Sequence, residues 1–388
     1  MFLKLSKNMM ALALIGLLPA CSKIDDYMLG KDNTPQPSEL KPVKAKVAMI
    51  EKWNAPVGGS RKNETYLRLR PTVAGNVLYS ADHSGYVQAI DKSTGAQQWA
   101  KKVPYALVSG PAVGDGSLIL ASDDSSIIAL KQQDGSELWK AKVSGEVLAK
   151  PIISHGKVIA KTIDGNLYAF DVHSGEKKWV SVHGAPNLIL KASSSPVVMG
   201  NVVVVGYSDG KMDAVDLESG HLLWQKSLVY ATGSSDVERL VDIDADPIIR
   251  GNVAILGSYQ GYIGAISLTD GQFLWSKPVS LYKNMVVRGG SLYLTDSNDV
   301  IWAINTRNGQ VNWKQVALKA RGLTEPVLMG DRLFVGDKTG MMHVLSTQSG
   351  EFLARAPMNG AVSVAPLALG NNLYVMTSNG KLSRYTVS

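Results

Sequence analysis

Asp209-Gly210-Lys211-Met212-Asp213-Ala214-Val215-Asp216-Leu217-Glu218-Ser219-Gly220-His221-Leu222-Leu223-Trp224 is the stretch whose reading decides the fold. A short alternating run, with Met212, Ala214 and Val215 among polar residues, enters the tight turn Asp216-Leu217-Glu218-Ser219-Gly220. A second run leaves the turn and carries Trp224. Alternation on both sides of a glycine-containing turn predicts a β-hairpin.

The pattern recurs along the chain. Its Gly-to-Trp half is found at Gly95–Trp99, Gly135–Trp139, Gly175–Trp179, Gly220–Trp224, Gly271–Trp275 and Gly309–Trp313, and a last copy after Gly350 has Ala354 in the tryptophan place. The hairpin that precedes it turns near Gly85, Ser126, Gly165, Gly210, Gly261, Asp299, Gly340 and Gly380. Eight hairpins but only seven following strands leave one strand missing, and Ile50-Glu51-Lys52-Trp53 supplies it. Pro71, Pro111, Pro151, Pro196, Pro247, Pro326 and Pro366 each open a further run, with Met285 in the sixth place. Proline cannot donate to a ladder and is tolerated at a strand's first residue. Four strands per unit, eight units over, predict an all-β chain: an eight-bladed β-propeller with four-stranded antiparallel blades. Its ring is closed by an N-terminal strand pairing into the last blade, which removes sheet edges that invite aggregation.

Composition agrees with one large repeat domain. Of 388 residues 19% are charged and 45% hydrophobic, and 37 glycines suit many short strands. The formal charge is +7, two charges of which are Lys4 and Lys7. Lysine and arginine are scattered and form no stripe, which argues against nucleic-acid binding. Cys21 is the only cysteine, so no disulfide forms within the chain and no thiolate cluster can hold a metal.

The first residues read as a secretory signal: Lys4 and Lys7, an apolar run from Met9 to Leu18, then Pro19-Ala20-Cys21. The run is too short for a spanning helix, which needs roughly 20 apolar residues. Cysteine directly after it resembles the lipoprotein signal of bacteria, which implies cleavage after residue 20, lipidation of Cys21 and, with Ser22 following, the outer membrane. The expected organisation is a signal peptide over 1–20, a lipidated flexible tether over 21–46 and the propeller over 47–388.

Several strings imitate catalytic motifs. Gly206-Tyr207-Ser208-Asp209-Gly210 matches a nucleophile elbow, which needs a strand-to-helix turn, but this copy is a hairpin turn followed by a strand. Ser280-Leu281-Tyr282-Lys283 and Lys338-Thr339-Gly340 suggest penicillin-recognising enzymes, yet no Ser-Asp-Asn accompanies them. Asp242-Ile243-Asp244-Ala245-Asp246 lacks the glycine and distal glutamate of a calcium loop, and the six histidines show no zinc-ligand spacing. The Trp-ended repeat resembles the blades of quinoprotein dehydrogenases, the enzymatic alternative. That resemblance would imply a quinone over calcium. Many alcohol-oxidising members add a vicinal disulfide, which a chain with Cys21 alone cannot form, and the long insertions that build their substrate pocket are missing. No cofactor is expected.

The repeat is broken in two adjacent places. Tryptophan spacings from Trp99 to Trp313 are 40, 40, 45, 51 and 38 residues. The long intervals contain Gly184-Ala185-Pro186-Asn187-Leu188-Ile189-Leu190-Lys191 and the stretch from Tyr230 to Asp244. Both join an outer strand to the next inner strand, so both lie on one face, where repeat proteins place binding loops. One offers leucines beside a cation and the other paired carboxylates, an interface pattern. Ala231-Thr232-Gly233-Ser234 with Arg239-Leu240 and Asp242-Ile243-Asp244 resembles the BamB family, the propeller lipoproteins of the β-barrel assembly machinery. The resemblance spans signal, tether and blades. It implies a non-enzymatic scaffold whose two loops bind the periplasmic domains of BamA, and carried over by position the contacts are Leu188, Leu190, Lys191, Asp242 and Asp244. The family often has arginine in the place of Lys191, whose ammonium does not reproduce arginine's planar fork.

Overall fold

Eight four-stranded antiparallel blades account for the strands of a computed structural model that describes residues 35–58, 68–184, 194–227, 241–259 and 261–388. The fourth blade is representative: Val197–Met199, Val202–Gly206, Lys211–Asp216 and Leu222–Ser227, hydrogen-bonded in that order. The second blade carries an extra two-residue strand, Arg68–Leu69, paired in parallel with Leu107–Gly114. Innermost strands of neighbouring blades touch one another around the axis. The ring closes as expected: Met49–Pro56 is the outer strand of the eighth blade, with Met49 opposite Val387 and Pro56 opposite Lys381.

The repeated letters have physical reasons. In six of the blades an alanine in the third strand faces the tryptophan of the fourth, as Ala169 faces Trp179 and Ala214 faces Trp224. A bulge follows in each of these two pairs, and the small residue leaves room for the indole. The Asp216 carboxylate accepts from the Ser219 amide at 2.8 Å and its hydroxyl at 2.7 Å, closing the turn. Those bonds hold its pKa below the usual carboxylate value, led by the Ser219 hydroxyl. The same turn must also let the previous blade's indole lie flat on it. A Cβ on Gly220 would come within 2.6 Å of the Trp179 ring, so glycine is required there.

These contacts lock one blade to the next. Indole Nε1 groups of Trp53, Trp99, Trp139, Trp179, Trp275 and Trp313 donate across the junction to the carbonyls of Lys92, Gln132, Val172, Leu217, Thr306 and Thr347 at 2.8–3.2 Å. Among the described residues Trp224 makes no such bond; Gly271 of the fifth blade packs instead on the Lys226 side chain, whose Nζ reaches the Asp270 carbonyl at 3.0 Å. The lock is therefore altered at the junction where the longest interval falls.

The compact unit begins earlier than the expected residue 47. It spans Ser38–Ser388. The Ser38 amide and the Arg321 guanidinium bond to the carbonyls of Lys319 and Ser38 at 3.0 and 2.8 Å, Arg355 donates to the Lys41 carbonyl, and the Lys46 amide donates to the Leu353 carbonyl at 2.7 Å. Residues 38–46 thus run down the edge of the seventh blade. The signal sequence and Cys21 lie outside the described residues.

Candidate functional site

Antiparallel order places the second-to-third-strand hairpins and the blade-to-blade connections at the same end of every blade. The roots of both long connections, 183–196 and 228–247, therefore stand at one end of the ring, on either side of the fourth blade, as the spacing predicts. Leu188, Leu190 and Lys191 lie outside the described residues.

Asp242 and Asp244 are described, and the structure corrects where they sit. Their relative exposures are 0% and 1%, in a run from Val241 to Ala245 that is buried throughout. They are not surface carboxylates. Asp242 also keeps the register of the repeat. Ala106, Glu146, Asp242, Ser280, Arg321 and Ala361 each stand five residues before the inner-strand proline (or Met285), and their carbonyls accept from Asp123, Ile163, Tyr259, Ser297, Lys338 and Ser378 at 2.9–3.1 Å. Asp242 thus occupies an ordinary place in the ring, and the true insertion is the stretch before it. Ile243 follows the same rule: its amide donates to the Tyr207 carbonyl at 3.2 Å, and its side chain packs so closely that a Cβ on Gly206 would stand 2.5 Å from Cγ2. Both aspartates are engaged by other groups of the chain, as buried charge requires. Counted back from Pro196, Lys191 has the same place in the preceding connection.

The residue immediately before each proline forms a second feature that the sequence reading missed. Arg70 of the first blade pairs with Glu325 of the seventh. The Asp246 carboxylate accepts from the Ser195 amide at 2.6 Å and from the Asn284 amide group at 2.7 Å, and Lys150 lies near Arg70 and Asp246. Burial, and secondarily Arg70, lowers the Lys150 pKa. A polar belt thus fastens blades together around the axis on the loop face. Its signal was available: beside a proline (Met285 in the sixth blade), the preceding letters Arg70, Gly110, Lys150, Ser195, Asp246, Asn284, Glu325 and Ala365 vary in chemistry.

The third feature stands at the roots of the first long connection. His183 Nδ1 lies 2.6 Å from Asp213 Oδ2 and Nε2 lies 3.2 Å from Asp209 Oδ2, with the ring stacked on Tyr207 at 3.6 Å and 9°. Burial opposes its charge, but the two carboxylates prevail and raise its pKa to about 9. Asp209 is likewise opposed by burial yet held down at about 2 by His183 and Lys211. Burial and the same carboxylates push the Tyr207 phenol up. At the other root, buried Lys161 donates to the Gly206 carbonyl at 2.6 Å and reaches Ser194 Oγ at 3.3 Å. The counterfeit serine motif at 206–210 is thus an anchoring hairpin: it holds both roots of one connection and, through the Tyr207 carbonyl, the end of the other. Among the described residues no group of three or more His, Cys, Asp or Glu side chains is placed to hold a metal ion.

The family profile described as outer membrane protein assembly factor BamB matches residues 83–315 and 316–388. A relative of that name from Legionella pneumophila (strain Paris) is 58% identical over 381 residues, covering 98% of this chain and 99% of its own. The crystal structure of BamB from Moraxella catarrhalis superposes with a TM-score of 0.79 at 24% identity, over 87% of this chain and 100% of that one. A quinohemoprotein alcohol dehydrogenase from Comamonas testosteroni superposes with a TM-score of 0.67 at 15% identity, over 88% of this chain and 76% of that one, a likeness of fold alone.

Proposed function

This chain belongs to the BamB family of outer-membrane protein assembly factors, and from that membership we propose that it serves as a non-catalytic scaffold docking the periplasmic domains of BamA through its two long connections. Cys21, lipidated, anchors it to the periplasmic side of the outer membrane. Leu188 and Leu190 supply the desolvated contact and Lys191 the charge that sets orientation. Asp242 and Asp244 act from beneath, shaping the connection rather than touching BamA. The observation that supports the reading is that the described roots of both long connections stand at one end of the ring, beside a single blade whose hairpin holds them.

Co-purification of BamA with the wild-type chain and with Leu190→Glu tests the site. Recovery should fall at least tenfold for the variant, and undiminished recovery overturns the assignment. Quinone plus calcium added to the purified chain should support no dye-linked alcohol oxidation; turnover would overturn the scaffold reading.

A further inference from the structure

The register of the ring singles out His183. Val103, Val143 and Met358 hold the equivalent place after their outer strands, their amides donating to Gly85, Ser125 and Gly340 at 2.9, 3.0 and 2.7 Å, as the His183 amide donates to Gly165 at 3.3 Å. Those three side chains are apolar. At the first junction Val103 packs in one core cluster with Ile128, which stands where Asp213 stands in the fourth blade. Among the described residues, only beside the first long connection does an imidazole bonded to two carboxylates replace the apolar pair, with side-chain exposures of 3% for His183 and 5% for Asp213. A buried ion pair of this kind adds little net stability over an apolar pair and is better suited to fixing geometry.

We propose that His183, with Lys161, is a positioning residue for the partner-binding surface: the two cations of the third blade latch both roots of the 183–196 connection to the Tyr207–Asp213 hairpin of the fourth. The proposal rests on the docking role given above. Hydrogen bonds have direction and an apolar contact has little, so the latch sets the angle at which the connection leaves the ring. Tyr207 extends the effect to the second connection, since its carbonyl holds Ile243 while its ring lies on His183. Among the described residues, Asp209, Asp213, Lys211 and Tyr207 are the charged and titratable groups facing the imidazole or its carboxylates, and Lys161 lies 5.6 Å over the Tyr207 ring.

The test copies the chain's own first junction into the third. The double substitution His183→Val/Asp213→Ile removes this pair of charges together, and Asp209 keeps Lys211 at 2.8 Å. Its melting temperature should stay within a few degrees of wild type, while affinity for the purified BamA periplasmic domains should fall about tenfold; Lys161→Met should weaken binding in the same direction. Wild-type affinity in the double variant, with Leu190→Glu inactive, would overturn the latch and leave the docking surface standing. If Leu190→Glu also binds normally, the docking reading fails and the latch's role falls with it. A measurement on the unaltered protein guards against misfolding: in an NMR titration His183 should remain an imidazolium at pH 8. An ordinary midpoint near 6.5 would overturn the proposal.

Discussion

The indole Nε1 of Trp179 donates to the Leu217 carbonyl of the next blade at 3.0 Å, with Gly220 closed against the ring face. One blade later, among the described residues, Trp224 has no such acceptor, and Lys226 occupies the glycine. The two tryptophans have the same spelling in sequence but different work in the ring.

Trp179→Ala should therefore cost about 3–5 kcal/mol, since it leaves a cavity and removes a bonded indole. Trp224→Ala should cost less, because no cross-blade bond is lost. Denaturant unfolding of the two variants checks the order, and a larger loss at Trp224 would contradict it.

Stability should depend on pH through His183. Its folded pKa, about 9, lies above the ordinary value of 6.5. The contribution is therefore complete below 6.5 and lost as pH rises through about 9, a change on the order of 3 kcal/mol. Asp209, lowered to about 2, contributes above its ordinary value of 3.8 and loses that contribution as pH falls through about 2. Melting temperatures of wild type and His183→Val/Asp213→Ile should differ in slope between pH 7 and 10, the wild type falling faster. Parallel curves would contradict the shift.

Gly206 is held by close approach rather than by an unusual backbone angle. Gly206→Ala should destabilise by about 1–3 kcal/mol through its clash with Ile243. Hydrogen exchange should quicken at the Ile243 amide, the donor to the Tyr207 carbonyl. Unchanged protection there would show that the connection yields without strain.

Residues 38–46 are fastened by few bonds, one from Arg355, whose guanidinium also lies 4.3 Å over the Phe352 ring. Arg355→Ala should speed tryptic cleavage at Lys41 and Lys44 several-fold while the melting temperature changes little. Equal cleavage rates would mean that the remaining bonds, at Ser38 and Lys46, suffice.

By itself the sequence determined the architecture, because alternation, turn chemistry and proline spacing are local properties repeated often enough to count. Eight hairpins against seven outer strands even required the closure through Trp53, and the two long intervals marked the face and the flanked blade. Tertiary structure decided what individual side chains do. Asp242 and Asp244 read as exposed charge because they follow an insertion, but in the folded ring both are buried. Arg321 and Arg355 captured residues that composition assigns to a free tether. His183 looked idle because its partners, Asp209 and Asp213, belong to the next blade. The stretch from Asp209 to Trp224 was legible as a hairpin from its own letters. Its part as anchor for two connections came only with the neighbouring blades, since burial and hydrogen-bond partners are set by what packs alongside, and no local pattern encodes that.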